Sequence, residues 1–129
     1  MAERDRQVIS VVDDDESLRR SLGNLLRSVG FGVETFASAD EFLRSAQRDN
    51  TSCLVLDLRM NGMSGLDLQQ HLARNGIPIP TIMITAHGEA ALRGRYEQAG
   101  LVAFLLKPLQ ESSLFAAIDK AIGASRGSG

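Results

Sequence analysis

The stretch CLVLDLRMNGMSGLDL, Cys53 to Leu68, decides the fold. It opens as a short apolar run, Cys53-Leu54-Val55-Leu56, and delivers a single carboxylate, Asp57, where the run stops. A loop of turn formers follows (Asn61, Gly62, Ser64, Gly65), and an amphipathic helical pattern begins at Leu66. A strand that is apolar throughout is buried on both faces, which is the habit of a parallel sheet covered by helices. In such a sheet ligands bind beyond the carboxyl ends of the strands. Asp57 therefore stands where an α/β protein places chemistry, and the rest of the chain has to supply its partners.

Four more strands are legible around it. Gln7 to Val12 (QVISVV) ends abruptly at Asp13-Asp14-Asp15-Glu16, and Phe31 to Phe36 alternates as a shorter strand. Pro78 and Pro80 frame an extended entry into Thr81-Ile82-Met83-Ile84-Thr85, and Leu101 to Leu106 is closed by Lys107-Pro108. Between the strands lie helical patterns. Leu18, Leu22, Leu25, Leu26 and Val29 form one face of a first helix that Gly30 stops. Ser38 and Glu41 make a capping box for a second, with Phe42, Leu43 and Ala46 inward. The third runs from Ser64 and Asp67 to Asn75-Gly76. A fourth, Glu89 to Ala99, has a sparse inward set and Gly94 in its middle, which costs about 1 kcal/mol relative to alanine. The last carries Leu114, Phe115, Ile118, Ala121 and Ile122 on one face. Five strands alternating with five helices predict a doubly wound parallel sheet with helices on both faces.

A chain of 129 residues with 43% hydrophobic content has enough apolar surface for a single core. The expected domain covers residues 1–122, with 123–129 a disordered, linker-like tail and no effector domain in this sequence. A formal net charge of −2 and the lack of a Lys/Arg cluster argue against direct nucleic-acid binding. No leader-like or membrane-spanning run is present, so a soluble, cytoplasmic protein with no membrane partner is expected. The single cysteine, Cys53, reads as a small buried hydrophobe in a reducing compartment.

The polar residues at the strand ends are Asp13, Asp14, Asp57, Thr85 and Lys107. Gathered carboxylates repel one another and raise each other's pKa values unless a cation sits among them. The donors are hard oxygens with no cysteine and no positioned histidine, which favours Mg²⁺ or Mn²⁺ over zinc. Such an ion and the Lys107 ammonium would neutralise a phosphoryl group, the Thr85 hydroxyl could hydrogen-bond it, and Asp57 could accept it as an acyl phosphate. Each residue alone has a plainer reading. The acids of 13–16 suit a helix start, Asp57 suits a turn, Thr85 suits a strand and Lys107 suits a surface. It is their joint position at the ends of different strands that favours a site.

These residues sit in four segments, VVDDDESLRRSL, LVLDLRMNGMSGLDL, IPTIMITAHG and AFLLKP, and with them the chain resembles the response-regulator receiver domain, the CheY-like phosphoacceptor module of two-component signalling. Within that superfamily it is most similar to the FixJ-type branch, over residues 7–122. The resemblance implies a flavodoxin/CheY-like sheet in the order 2-1-3-4-5. It implies phosphorylation of Asp57 by a sensor histidine kinase, with Mg²⁺ held by Asp13 (mainly through water), Asp14, Asp57 and the main-chain carbonyl of Arg59. Lys107 would pair with the phosphoryl group, and the Lys107-Pro108 bond would be cis. Thr85 and Phe104 would be the switch pair that remodels a face made of the fourth helix, fifth strand and fifth helix, where partners or a second copy dock. FixJ-type receivers often precede a DNA-binding domain, so transcription regulation is the implied setting.

The chain departs from the family pattern at Asn61, where proline is usual, at Leu109, where phenylalanine is frequent, and at Gln110, where an acidic cap is frequent. Arg59 and His87, each two residues beyond a site residue, are expected to set the lifetime of the phosphorylated state, whereas His71 reads as surface. Two other functions compete. A phosphorylation-independent interaction or dimerisation module is disfavoured by the intact site set. A phosphatase of the haloacid dehalogenase type needs a second acid two residues after the nucleophile, where Arg59 stands. The protein is thus expected to be a switch rather than an enzyme, its only chemistry being its own phosphorylation and slow dephosphorylation.

Overall fold

Five parallel strands, β1 (Val8–Val12), β2 (Gly32–Phe36), β3 (Cys53–Asp57), β4 (Thr81–Thr85) and β5 (Ala103–Leu106), pair in the order β2-β1-β3-β4-β5. This computed structural model describes residues 7–46, 48–86 and 101–127, with side chains to residue 123. The order follows from chain direction: β2 is added on one side of β1, and β3, β4 and β5 are added on the other. The reversal leaves a crevice between the carboxyl ends of β1 and β3, the place where such sheets bind ligands. Val12 pairs with Leu56, which sets Asp13 beside Asp57.

Side chains alternate across each strand, and the two faces build two cores. Ile9, Val11, Cys53, Val55, Ile82 and Ile84 face one layer. That layer is covered by α1 (Glu16–Ser28) through Leu22 and Leu26, and by α4 (Glu111–Gly127) through Leu114, Ile118 and Ala121. Val12, Leu54, Leu56, Met83 and Phe104 face the other, covered by α2 (Ala39–Arg44) through Phe42 and α3 (Gly65–Arg74) through Leu68 and Leu72. Continued past the strand ends, the alternation assigns Asp13, Asp57 and Lys107 to the first side and Thr85 to the second.

Capping explains where the helices begin. Asp15 accepts the Ser17 and Leu18 amides at 2.9 and 3.3 Å at the start of α1. Ser64 and Asp67 form a reciprocal capping box on α3. On α2 the box is incomplete: Ser38 accepts the Glu41 amide, but the Glu41 carboxylate accepts from Ala37 rather than from Ser38. Gly30, at φ +103°, supplies the left-handed residue after α1 that only glycine adopts freely.

Two expectations about helix ends change. α2 ends at Arg44, so Ala46 is exposed rather than inward. Arg48 folds back to donate to the Leu43 carbonyl at 3.3 Å, and a short 3₁₀ turn (Arg48–Asn50) replaces further helix. The last helix continues to Gly127, through residues expected to be linker-like. Ala124, Ser125 and Arg126 carry no helix breaker, and extending an existing helix adds one hydrogen bond for each residue ordered. The predicted fourth helix, Glu89 to Ala99, lies outside the described residues, among which there are four α-helices. None of these is long and apolar enough to cross a membrane.

Candidate functional site

The strand-end residues converge. Asp13 follows β1 and is fully buried, Asp57 ends β3 and is nearly so, and Asp14 is exposed beside them. One carboxylate oxygen from each lies within 4.8 Å of the others. Lys107, just past β5, places Nζ 3.2 Å from Asp13 Oδ2 and 3.5 Å from Asp57 Oδ2. The lysine thus bridges two buried acids contributed by different strands. Its tether is the Lys107 amide, which donates to the Thr85 carbonyl at 2.7 Å, and the Lys107-Pro108 bond that follows is cis.

Local main-chain geometry fixes the two buried acids. Asp13 Oδ1 accepts the Asp15 amide at 2.9 Å, and the Asp13 carbonyl accepts from Arg19 Nη1 at 2.8 Å. Asp57 Oδ1 accepts the Arg59 amide at 3.3 Å. The Leu58 amide donates to Ile84 in β4, and the Leu58 carbonyl accepts from Gly65 at the start of α3. The two peptide units flanking Leu58 are therefore held, one by β4 and the other by the start of α3.

Charge follows from this packing. Burial, and then the Asp13 carboxylate, push the Asp57 carboxyl up to about 6, against the pull of Lys107 and the Arg59 amide. Burial pulls the Lys107 ammonium down, but the Asp13 and Asp57 carboxylates outweigh it and leave its pKa raised. One lysine does not fully neutralise the acids around it. Among the described residues, Asp13 Oδ2 is buried with the Lys107 ion pair and no hydrogen bond. An under-neutralised cluster of hard oxygens with a buried oxygen to spare fits a small divalent ion of the Mg²⁺ kind.

Thr85 is buried at the end of β4, and its hydroxyl has no hydrogen-bond partner among the described residues. An orphaned hydroxyl in a core carries a free-energy penalty, so its presence one strand away from Asp57 is informative. Phe104 pairs in register with Met83, on the face that Thr85 continues, and its ring is buried in the second core. Arg59 is exposed on the loop after Asp57, and Asn61 is exposed two residues on. His87 lies outside the described residues. Leu109 packs against the first core, and the Gln110 carbonyl accepts the Leu114 amide, making Gln110 the residue that opens α4. His71 is half-buried on α3, and burial pushes the Cys53 thiol up to about 12, which keeps it protonated and inert.

Sequence reasoning missed Gly65. A Cβ there would collide with the Asp57 carbonyl oxygen and lie 2.9 Å from Met83 Sδ and 3.0 Å from Leu58 Cα. The signal was available: glycine at the first position of a helix, where nearly any residue is tolerated, marks a close backbone approach.

Three acids and a lysine thus stand together at the switch point of a doubly wound parallel α/β sheet. The chain belongs to the response regulator receiver domain family, whose pattern it matches over residues 9–119. It is similar to Nodulation protein W of Bradyrhizobium diazoefficiens, 49% identical over 121 residues covering 94% of this chain and 53% of that protein. The transcriptional regulatory protein FixJ of the same organism is 39% identical, covering 88% of this chain and 56% of that one. The chain spans about half the length of the curated relatives it matches. Among solved structures, the response regulator StyR superposes with a TM-score of 0.87 at 44% identity, over 95% of this chain and 62% of that one. The crystal structure of FixJ-N superposes at 0.80 with 37% identity, over 90% and 93%. The chain is thus a receiver domain of phosphorylation-based two-component signalling, a regulatory module rather than a conventional enzyme.

Proposed function

We propose that Asp57 is the phosphoacceptor and that a sensor histidine kinase is the donor. The observation that carries this reading is the bridge from Lys107 to Asp13 and Asp57 at 3.2 and 3.5 Å. A carboxylate oxygen of Asp57 attacks phosphorus, the P–N bond of the donor phosphohistidine breaks, and its electron pair returns to the imidazole. The product is an acyl phosphate, which water later attacks at phosphorus to release inorganic phosphate and the free carboxylate. Lys107 faces the growing charge, and positioning supplies most of the rate. Asp14, Asp57, the Arg59 carbonyl and, through water, Asp13 would hold Mg²⁺, which supplies charge neutralisation at the phosphoryl oxygens when bound.

Thr85 and Phe104 form the switch pair. The orphaned hydroxyl has a bond to gain by turning toward a phosphoryl group, and the face that includes β5 and α4 then changes for a kinase, an effector or a second copy. Arg59 and His87 are the residues this reading assigns to the lifetime of the acyl phosphate, which the dephosphorylation rates of Arg59→Ala and His87→Ala test directly; rates unchanged from wild type in both would rule the idea out. This chain makes no direct contact with nucleic acid in this reading, and it works in the cytoplasm with its kinase.

The test is incubation with Mg²⁺ and acetyl phosphate followed by intact-mass measurement. Wild type gains the mass of one phosphoryl group and Asp57→Asn gains none. No gain in wild type, or the same gain in Asp57→Asn, overturns the reading.

A further inference from the structure

Gly65 opens α3, and its Cα lies against the carbonyl oxygen of Asp57 so closely that a methyl group there would overlap that oxygen. Its amide donates at 2.9 Å to the Leu58 carbonyl. On the other side, the Leu58 amide donates at 2.9 Å to Ile84 of β4. The peptides flanking Leu58 are therefore gripped between the start of a helix and the neighbouring strand. The next amide in line, that of Arg59, donates to Asp57 Oδ1.

We propose that Gly65 is a positioning residue for the acid site: the bare start of α3 holds the Asp57-Leu58-Arg59 main chain so that the Asp57 carboxylate and the Arg59 carbonyl converge on one point. The proposal rests on the phosphoacceptor reading for what that point binds. The helix itself does not require glycine there, because the first helical position tolerates almost any residue and alanine is the better helix former. Nor is the glycine there for a left-handed φ, which Gly30, Gly62 and Gly76 adopt and Gly65 does not. What remains is the approach to the peptides of Asp57 and Leu58, together with the contact to Met83 Sδ.

Those two contacts make different predictions. If crowding against Met83 were the whole reason, shortening that side chain would cure Gly65→Ala. If the Asp57 carbonyl is the reason, it would not. Gly76, at φ +68° with nothing within 4 Å of its would-be Cβ, gives a control that strains the fold far from the acids.

The experiment compares wild type, Gly65→Ala, Gly65→Ala/Met83→Val and Gly76→Ala. Two properties are read: Mn²⁺ affinity from the electron paramagnetic resonance of free Mn²⁺, and hydrogen exchange of the Arg59 amide in metal-free protein. Both Gly65 variants are expected to bind Mn²⁺ at least tenfold more weakly and to exchange Arg59 at least tenfold faster. Gly76→Ala is expected to match wild type within twofold on both. The proposal is overturned if Gly65→Ala keeps wild-type values, if Met83→Val restores them, or if Gly76→Ala loses them equally. Failure of both Gly65 variants to fold also overturns it, in favour of a glycine needed only for the core. A wild-type chain that binds no Mn²⁺ sinks the phosphoacceptor reading itself, whereas the Arg59 exchange comparison still judges the glycine.

Discussion

Two neighbouring strands, β3 and β4, both end in a buried polar residue, yet the two ends are held in opposite ways. Asp57 has an amide on one oxygen and an ammonium near the other, and its main chain is gripped by α3 and β4. Thr85, one strand over, has a main-chain carbonyl tied to Lys107 and a hydroxyl with no partner among the described residues. Groups that must present one fixed geometry are over-determined, and groups that must move are left with a bond to gain. In the proposed function the over-determined Asp57 is the acceptor and Thr85, left with a bond to gain, is the reporter, and the two stand at adjacent strand ends.

The largest way to break this contrast is to remove the cation shared by the acids. Lys107→Met leaves the buried Asp13 and Asp57 carboxylates facing each other without a counter-charge. Because the lysine side chain is 29% exposed, the loss should fall short of a fully buried pair, at about 2 to 3 kcal/mol of unfolding free energy in metal-free buffer. Urea titration reads it, and adding Mg²⁺ should recover part of it. A loss below about 0.5 kcal/mol would mean that the acids are better solvated than their burial implies.

Next comes the acid itself. The Asp57 carboxyl is raised to about 6 from 3.8, so the folded chain holds its proton more tightly than the unfolded chain does. That group contributes stability below about pH 4, and the contribution is lost as the pH rises through about 6. Asp57→Asn escapes the penalty. It should be more stable than wild type by about 1 to 2 kcal/mol at pH 7 without metal, with the gap closing toward pH 4. A gap independent of pH would point to packing instead of charge.

Thr85→Val is the test of the other strand end. It keeps the shape and removes an unsatisfied buried hydroxyl, so stability should rise by up to about 1 kcal/mol in thermal unfolding. Phosphoryl uptake should persist while phosphorylation-dependent spectral changes at Phe104 disappear. A clear loss of stability would show that the hydroxyl has a partner in the resting state. The smallest effect calibrates the others: Arg20→Ala breaks the exposed Arg20–Glu16 pair on α1, whose charged atoms lie 2.7 Å apart, and should cost under about 0.5 kcal/mol.

Most of this architecture is legible in the residues. Apolar runs that stop at Asp13, Asp57, Thr85 and Lys107 declare strands and the edge where they end, because only a strand covered on both faces is apolar throughout. Capping residues Ser38 and Ser64 mark helix starts for an equally local reason. What escaped depends on atoms that meet across the fold. Arg48 reaching back to Leu43 shortens α2 and exposes Ala46, and no periodicity announces that reach. The extension of α4 to Gly127 lay hidden behind a glycine- and serine-rich composition that resembles a linker. Gly65 reads as a turn former in the sequence because the oxygen it makes room for belongs to a residue eight positions earlier.

The alternation that sends Asp13, Asp57 and Lys107 to one side of the sheet also bears on how the chain finds its pairing. A one-residue slip of a strand carries its whole set of side chains to the opposite face. Slipping β5 against β4 would drive the Lys107 ammonium toward the layer of Met83 and Leu56 and strand both acids. Slipping β1 or β3 would bury a carboxylate among leucines. The apolar residues alone discriminate poorly here, since both faces accept Val, Ile and Leu. The charges of the proposed site would therefore also serve as alignment marks for the sheet, and a mutation that neutralises them should let misaligned sheets compete.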